Sequence, residues 1–192
     1  MQPTPAPQKT SQPLLRQFIM EYGSILGLSW TAVFALYVIG LRQQSGACLG
    51  AAFLGLLLLL APTAMLAVRI KVRTVQLQLR PTFIYTLLNV LSMFMYACLL
   101  CGAFEYSYFA FIDKDTLARA ATAMLSDEQY RQLYTQAGMK QTYTQALQAI
   151  NEFAALSAFD KTLLLFNQNF FTSLILSLPI GAISYYYKPR TL

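Results

Sequence analysis

The stretch that decides the fold class is Ala47–Val68, which reads ACLGAAFLGLLLLLAPTAMLAV. It contains no charged residue and is as long as the roughly 20 residues that a helix needs to cross a bilayer. Three other stretches have the same character, namely Tyr22–Leu41, Phe83–Phe104 and Thr162–Tyr187. The sequence therefore predicts an all-α polytopic membrane protein with four transmembrane helices.

The composition of the 192-residue chain agrees with this prediction. Hydrophobic residues make up 56% of the chain and charged residues only 11%, whereas a soluble domain carries roughly a quarter charged residues. Histidine, the commonest general base and metal ligand, is absent. The sequence also lacks a P-loop, a glycine-rich dinucleotide motif and a G-x-S-x-G motif. We therefore expect a protein that is not an enzyme and that uses no cofactor or metal.

A charged segment, residues 105–161, separates the third and fourth spans, and we call it the insert. Its seven acidic and five basic residues cannot enter lipid, so we expect it to stand in water. The predicted organisation is a disordered or amphipathic tail over 1–17, three spans within 18–104, the insert, a fourth span over 162–187 and a second tail over 188–192.

The basic residues predict the orientation in the membrane. The connection after the second span carries four of them without an acid, Arg69, Lys71, Arg73 and Arg80, and each tail carries two more. Because short loops rich in Lys and Arg stay in the cytoplasm, we expect cytoplasmic termini and an extracytoplasmic insert, in a bacterial inner membrane. The same four residues would attract anionic phospholipids. Topology thus explains the net charge of +6, and no nucleic-acid partner is needed.

Small residues in the second span indicate close helix packing. Ala47, Ala51 and Gly55 recur every four residues, as Gly23 and Gly27 do in the first span. The strip could pack against the first span or form the seam of a homo-oligomer. Pro62 and Pro179 lie inside spans, where each should bend its helix.

Amide side chains at membrane depth form a second pattern. Asn89 lies in the third span, and Asn167 and Asn169 lie in the fourth. Unpaired amides are costly in hydrocarbon, so these three should either form a network that ties the fourth span to its neighbours or line a path for a polar solute.

The insert shows the periodicity of three short helices. The first starts at Asp113 or Asp115 and reaches about Leu125, the second follows a capping box at Ser126–Gln129 and stops at Gly138, and the third covers about 141–158. Such helices cannot bury a useful core alone, so they should lie against the spans or against a partner. The expected partner surface consists of Tyr130, Tyr134, Tyr143 and Phe153.

Four carboxylates at the borders of the insert could suggest a cation site or acid–base chemistry. They are Glu105, Asp113, Asp115 and Asp160. Their spacing does not match that of metal ligands, and all four flank helix starts or span ends. We therefore interpret them as solvated helix caps.

The insert opens with the phrase Phe111-Ile112-Asp113-Lys114-Asp115. With the four spans and the basic second connection, this phrase resembles the domain-of-unknown-function family 4199, over roughly Tyr22 to Arg190. The chain departs from the family in having Lys114 where proline is frequent and in its shortened second connection.

This family occurs mostly in Bacteroidota and brings no established activity, catalytic residue or cofactor, so no site residue is carried over. Its members are often described beside lipid-linked sugar transferase genes. The resemblance therefore implies a partner-subunit role in envelope glycan or lipid biogenesis.

These observations favour a non-catalytic accessory or scaffold subunit of a membrane complex. Its insert would recognise the partner, which is another membrane protein or a second copy of the chain. The alternative is a small oligomeric transporter or channel for a polar solute.

Overall fold

The computed structural model describes residues 11–187, which form helices joined by short connections and include no β-strand. The elements are α1 (Ser11–Arg42), α2 (Gly46–Leu58), α3 (Leu60–Gln76), α4 (Phe83–Tyr108), a π-helix (Phe109–Asp113), α5 (Thr116–Ser126), α6 (Glu128–Gln136), α7 (Lys140–Ala155) and α8 (Ala158–Tyr186). Four segments are long and apolar enough to cross a membrane, namely α1, α2 with α3, α4 with the π-helix, and α8. The predicted all-α fold with four membrane-spanning helices is confirmed.

The first helix begins earlier than the sequence predicted. Helix α1 starts at Ser11, and Leu15 and Ile19 are buried in an apolar cluster. Of the two predicted forms of the tail, disorder is wrong for residues 11–17, because Pro13 sits in the first turn, where its missing N–H is not needed, and Leu15 and Ile19 supply a buried face, as in an amphipathic helix. Residues 1–10 and the predicted tail 188–192 lie outside the described residues.

The second span is interrupted at Leu59, between α2 and α3. Pro62 explains the interruption, because it has no N–H to donate to the carbonyl of residue 58. Thr63 donates both its backbone N–H, at 3.0 Å, and its hydroxyl, at 2.6 Å, to the carbonyl of Leu59. Pro179, by contrast, lies inside an unbroken α8.

Helix α3 also runs further than expected, to Gln76. Arg69, Lys71 and Arg73 therefore lie on a helix, and only Arg80 lies in the connection before α4. The prediction of one basic loop is wrong because the face formed by Ala67, Ile70 and Thr74 is buried and keeps the chain helical.

The three helices predicted for the insert are confirmed as α5, α6 and α7, which we call the insert helices. Asp127, rather than Ser126, caps α6 by accepting the backbone N–H of Gln129 at 2.8 Å. Gly138 ends α6 with a φ of +70°. The third span was predicted to end at Phe104, and the helix itself continues through α4 and the π-helix to Asp113.

The described chain forms two compact units. The first contains the chain up to Trp30, Leu58–Cys101 and the chain from Asn167 onward, and the second contains Thr31–Leu57 and Gly102–Phe166. The core of the first unit is a cluster of large apolar side chains around Leu26, Ile70, Val90, Met93 and Phe94.

In the first unit, α1 packs on α4 through glycine. A Cβ added at Gly23 would lie 2.6 Å from the Cβ of Tyr96 and 2.7 Å from the carbonyl oxygen of Met93. A Cβ added at Gly27 would lie 2.9 Å from the carbonyl oxygen of Ala97. The spacing of these glycines thus marks a close helix contact, but the partner is α4 and not the predicted second span.

The small-residue strip of α2 is largely unpacked within the chain. Ala47 and Ala51 are exposed, and only Gly55 of the predicted trio meets a neighbour, with an added Cβ lying 3.2 Å from Val33 Cγ2. The contact with α1 is made instead by Leu49, which lies 3.0 Å from a Cβ added at Gly40. Intramolecular packing of Ala47 and Ala51 is therefore wrong, and a homo-oligomer seam stays a prediction.

The second unit has an aromatic core. The ring of Phe109 lies 6.2 Å from that of Phe34 and 5.8 Å from that of Phe153, measured between centroids. Val38, Leu41 and Leu117 are buried in the same cluster. The π-helix and α7 are thereby fixed to the end of α1.

Candidate functional site

A cluster of charged side chains joins the two roots of the insert, which we define as residues 109–115 at its N-terminal side and 157–161 at its C-terminal side. The backbone at the first root is unusual, because Lys114 and Asp115 have φ angles of 37° and 60°. Two successive non-glycine residues in the left-handed region are costly and persist only where other contacts hold them.

Asp113 organises the first root. Its carboxylate is buried, and Oδ1 accepts the backbone N–H of Leu117 at 2.9 Å and the hydroxyls of Tyr108 and Thr116 at 3.1 Å each. Asp113 or Asp115 was predicted to cap the first insert helix; Asp115 occupies the N-cap position without a side-chain cap bond, and Asp113 supplies the accepting carboxylate, but it is not solvated. Its position at the end of the π-helix places it inside the second unit, where its lone pairs must be satisfied by the protein.

Lys161 and Asp115 form an ion pair that links the two roots across 46 residues of sequence. The ammonium Nζ of Lys161 lies 2.8 Å from Asp115 Oδ1 and 5.6 Å from the centroid of the Phe153 ring. The lysine side chain is 6% exposed, whereas that of Asp115 is 61% exposed. The hydrogen bond from Lys161, and then its positive charge, lower the pKa of Asp115 below its usual range.

Arg119 holds the same turn from the other side. Its Nη2 donates to the carbonyl of Lys114 at 3.2 Å, and its Nε donates to the carbonyl of Asp115 at 3.4 Å. The second root is fixed by a reciprocal cap, in which Ser157 Oγ donates to Asp160 Oδ2 at 2.6 Å and accepts the Asp160 N–H at 3.2 Å. These contacts explain how the left-handed turn is maintained.

The charged cluster is suited to hold the two roots of the insert together. Its charges are engaged with one another, with hydroxyls or with backbone groups, as a structural network requires. Among residues 11–187, no three His, Cys, Asp or Glu side chains converge where they could hold a metal ion.

An open groove of about 420 Å³ runs between α5 and α7 beside the cluster. It is lined by three alanines and four polar residues, which are Ala118, Ala123, Ala154, Asp115, Arg119, Thr122 and Asn151. The groove brings part of the charged cluster to the surface of the insert.

The predicted partner residues do not form one surface. The rings of Tyr134 and Tyr143 contact each other, with centroids 5.7 Å apart, and Tyr130 is half-buried. Phe153 was assigned wrongly, because its ring packs against Phe109 in the core. Leu133 and Met139, the large apolar side chains of the α6 region, are exposed and were not among the predicted partner residues.

The three asparagines do not form one network. Cys98 Sγ lies 3.5 Å from Ser173 Oγ, and a Cβ added at Gly181 would lie 3.1 Å from Leu87, so α4 and α8 run antiparallel. Asn89 is therefore level with about residue 180, which is roughly 20 Å along α8 from Asn167.

The three asparagines also differ in burial. Asn89 is buried, Asn169 is half-buried and Asn167 is exposed. Other hydroxyl groups tie the first unit together, such as Ser184 Oγ, which donates to the carbonyl of Ala67 at 2.8 Å. The predicted network fails because sequence position alone does not show which residues of antiparallel helices are level.

Two of the four residues assigned to anionic lipid have structural contacts. Lys71 Nζ donates to the backbone carbonyls of Tyr185 and, at 2.6 Å, Tyr187, so it caps the C-terminus of α8. The guanidinium of Arg73 lies 4.8 Å from the centroid of the Phe18 ring. Arg69 and Arg80 are exposed. The structural role of Lys71 could have been inferred from its position four residues after the buried Ala67, because both lie on the same side of α3.

Glu105 is the other carboxylate that was wrongly predicted to be solvated. It is buried, because α4 continues beyond it and places it on the same face as Cys98, Cys101 and Phe109. The spacing of these residues, at intervals of three and four, could have revealed this face.

The sequence profile of the family described as "Protein of unknown function (DUF4199)" matches residues 21–184. The match covers most of the chain, and the chain belongs to this family. No curated protein and no solved structure matches the chain.

Proposed function

We propose that this DUF4199 protein is a non-catalytic accessory or scaffold subunit of a bacterial inner-membrane complex, in which the insert helices recognise the partner. A role in envelope glycan or lipid biogenesis is the setting that the family resemblance favours.

The observation that carries the proposal is the way the insert is built. Helices α6 and α7 have no buried residue, yet the insert is firmly rooted through Asp113 and the ion pair of Lys161 with Asp115. A firmly rooted element with an exposed surface suits recognition, because little ordering is required on binding. Leu133, 61% exposed, and the groove between α5 and α7 are its features available to a partner.

The charge distribution supports cytoplasmic termini and an extracytoplasmic insert. Arg69, Arg73 and Arg80 are exposed at or near the connection of α3 to α4, whereas the connection of α1 to α2 has Arg42 alone. Reporter fusions after Leu79 and Ala137 should give opposite readings. Identical readings would contradict this orientation.

The function is tested by replacing residues 116–155 with a flexible linker, which keeps Asp115 and Lys161 in the chain. The variant should insert into the membrane as before but lose the partner that copurifies with the full chain in mild detergent. Leu133→Asp should weaken the same association, whereas its neighbour Gln132→Asp is the matched control and should not. Undiminished copurification of the linker variant would contradict the proposal.

The alternative, a small oligomeric transporter or channel, is favoured by one observation, the buried Glu105 in α4. Ionisable residues inside spans commonly lie on the paths of ions or polar solutes. In that case the linker variant should keep any complex, and Glu105→Gln should change the flux of a polar solute into vesicles. The two experiments therefore separate the two functions.

A further inference from the structure

We infer that the two roots of the insert are embedded in the phospholipid leaflet on the side of the insert, where Phe111, Ile112 and Phe159 contact lipid. The insert helices then begin at the membrane surface. The sequence alone placed the membrane boundary about eight residues earlier, at Phe104.

Large apolar side chains of the two roots are exposed. Phe111 is 76% exposed, Ile112 is also exposed, and Phe159 is 64% exposed. Glu105, Asp113 and Lys161 are buried, whereas Lys114, Asp115 and Asp160 are exposed and must therefore lie at the level of the headgroups. The outward side of α4 and the π-helix is therefore free of charge up to Ile112 and continues the lipid-facing side of the span.

Helix α1 indicates where the hydrocarbon region of the bilayer ends on the side of the insert. The charge-free stretch Tyr22–Leu41 is about 30 Å long as a helix, which equals the hydrocarbon thickness of a bilayer. It ends at Arg42, and polar residues follow. The boundary between hydrocarbon and headgroups on the side of the insert therefore lies near Leu41.

Contacts between α1 and α4 show which residues of α4 lie at the same height in the membrane as Leu41. The ring centroids of Phe34 and Tyr108 are 5.7 Å apart, and Leu41 lies in one cluster with Phe109 and Leu117, so α1 and α4 run parallel here. Leu41 is seven residues, or about 10 Å, beyond Phe34 and is thus level with the end of the π-helix. A boundary at Phe104 would leave the exposed Leu36, Tyr37 and Ile39 in water.

Helix α8 agrees with the same boundary. A Cβ added at Gly102 would lie 3.4 Å from Phe166, and α8 runs antiparallel to α4. Phe159, seven residues before Phe166, is therefore level with about Phe109. Asp115, whose side chain is 61% exposed and is paired with Lys161, follows three residues after Ile112, where headgroups and water begin.

The inference is tested with one tryptophan as a depth probe. Trp30 is the single tryptophan of the chain, so Trp30→Phe gives a background for Phe111→Trp, Phe159→Trp and the control Leu133→Trp on α6. Each full-length variant is placed in phosphatidylcholine vesicles, with or without bromine at shallow acyl positions, and is titrated with aqueous acrylamide. If Trp30→Phe does not fold, Trp30 is kept and the increment in quenching over the unsubstituted protein is measured.

We expect the probes at 111 and 159 to lose most of their emission in brominated lipid and to resist acrylamide, with blue-shifted emission. The probe at 133 should show the opposite pattern. If the probe at 111 is quenched by acrylamide as strongly as the probe at 133, the roots stand in water and the inference is overturned. Quenching by neither agent would mean that protein covers the roots, which overturns it as well.

Discussion

The two compact units reach their packing in different ways. In the first unit, glycines at 23 and 27 bring α1 against the backbone of α4, and the buried polar residues, such as Thr74, Asn89 and Ser184, are uncharged. In the second unit, an aromatic cluster surrounds buried charges, above all Asp113 and Lys161. The first unit therefore depends on the close fit of uncharged side chains, whereas the second depends on the pairing of buried charges.

This difference indicates where each unit tolerates change. Helix packing inside a membrane gains little from hydrophobicity, so the first unit is sensitive to added volume. A buried charge is costly unless it is paired, so the second unit is sensitive to the loss of a partner. The following predictions test this contrast.

The largest effect is expected for Gly23→Leu. Its Cβ would fall 2.7 Å from the carbonyl oxygen of Met93, which belongs to the backbone and cannot rotate away. The loss of stability should exceed the roughly 3 kcal/mol at the upper end of usual overpacking costs. Melting in mild detergent measures it, with Gly50→Leu as the control, because nothing lies within 4 Å of a Cβ there. Equal melting of the two variants would contradict the proposed role of shape.

An intermediate effect is expected for Asp113→Ala. The substitution leaves the Leu117 N–H and the Tyr108 hydroxyl without their acceptor in the interior of the second unit, at a cost of about 2–3 kcal/mol, whereas the Thr116 hydroxyl keeps the backbone carbonyl of residue 113 at 2.6 Å. Asp127→Ala is the matched control, because Asp127 also caps an insert helix but is exposed, and it should cost only about 1 kcal/mol. Similar costs for the two caps would show that burial of Asp113 is unimportant.

A smaller effect is expected from the ion pair, and it should be asymmetric. Asp115→Asn strands an ammonium that is 6% exposed, whereas Lys161→Met strands a carboxylate that water can reach, so the first variant should melt lower. The double variant should melt higher than the sum of the single losses implies. Glu128→Gln breaks an exposed pair of 4.0 Å and should change nothing. Strict additivity of the two single losses would refute the coupling.

The same pair has a defined dependence on pH. Because Lys161 lowers the pKa of Asp115 in the folded protein, the pair stabilises the fold above the ordinary pKa of an aspartate, about 4. This contribution disappears as the pH falls through the lowered pKa. The melting difference between the unsubstituted chain and Asp115→Asn should therefore be constant near neutral pH and vanish in acid.

The long spans could be predicted from the sequence, whereas the ends of their helices could not. Charge-free length predicted four spans, and capping residues predicted the insert helices, because both signals are local. The ends were missed at Ser11, Gln76 and Asp113, where helices continue beyond the apolar runs. They continue because one buried face, such as that of Ala67, Ile70 and Thr74, is enough to keep a charged segment helical.

The residues of the candidate site were harder to predict. A cap at Asp113 or Asp115 could be predicted because its signal lies in the next few residues, but which of the two side chains accepts the hydrogen bond could not. The pairing of Lys161 with Asp115 has no local signal, since the two residues are 46 positions apart and meet only after the insert has folded back. Phe153 and Lys71 were assigned to surfaces for the same reason, because their partners belong to distant helices.

The sequence by itself determined the fold class, the four spans and the three insert helices, because apolar length and capping act over a few residues, and its resemblance to a known family indicated the family. Tertiary structure alone decided which small residues are packed, which charges are buried and how the roots of the insert are joined. These properties depend on the relative levels and facing sides of helices distant in sequence. A shift of one residue in that register would place a different side chain at each contact.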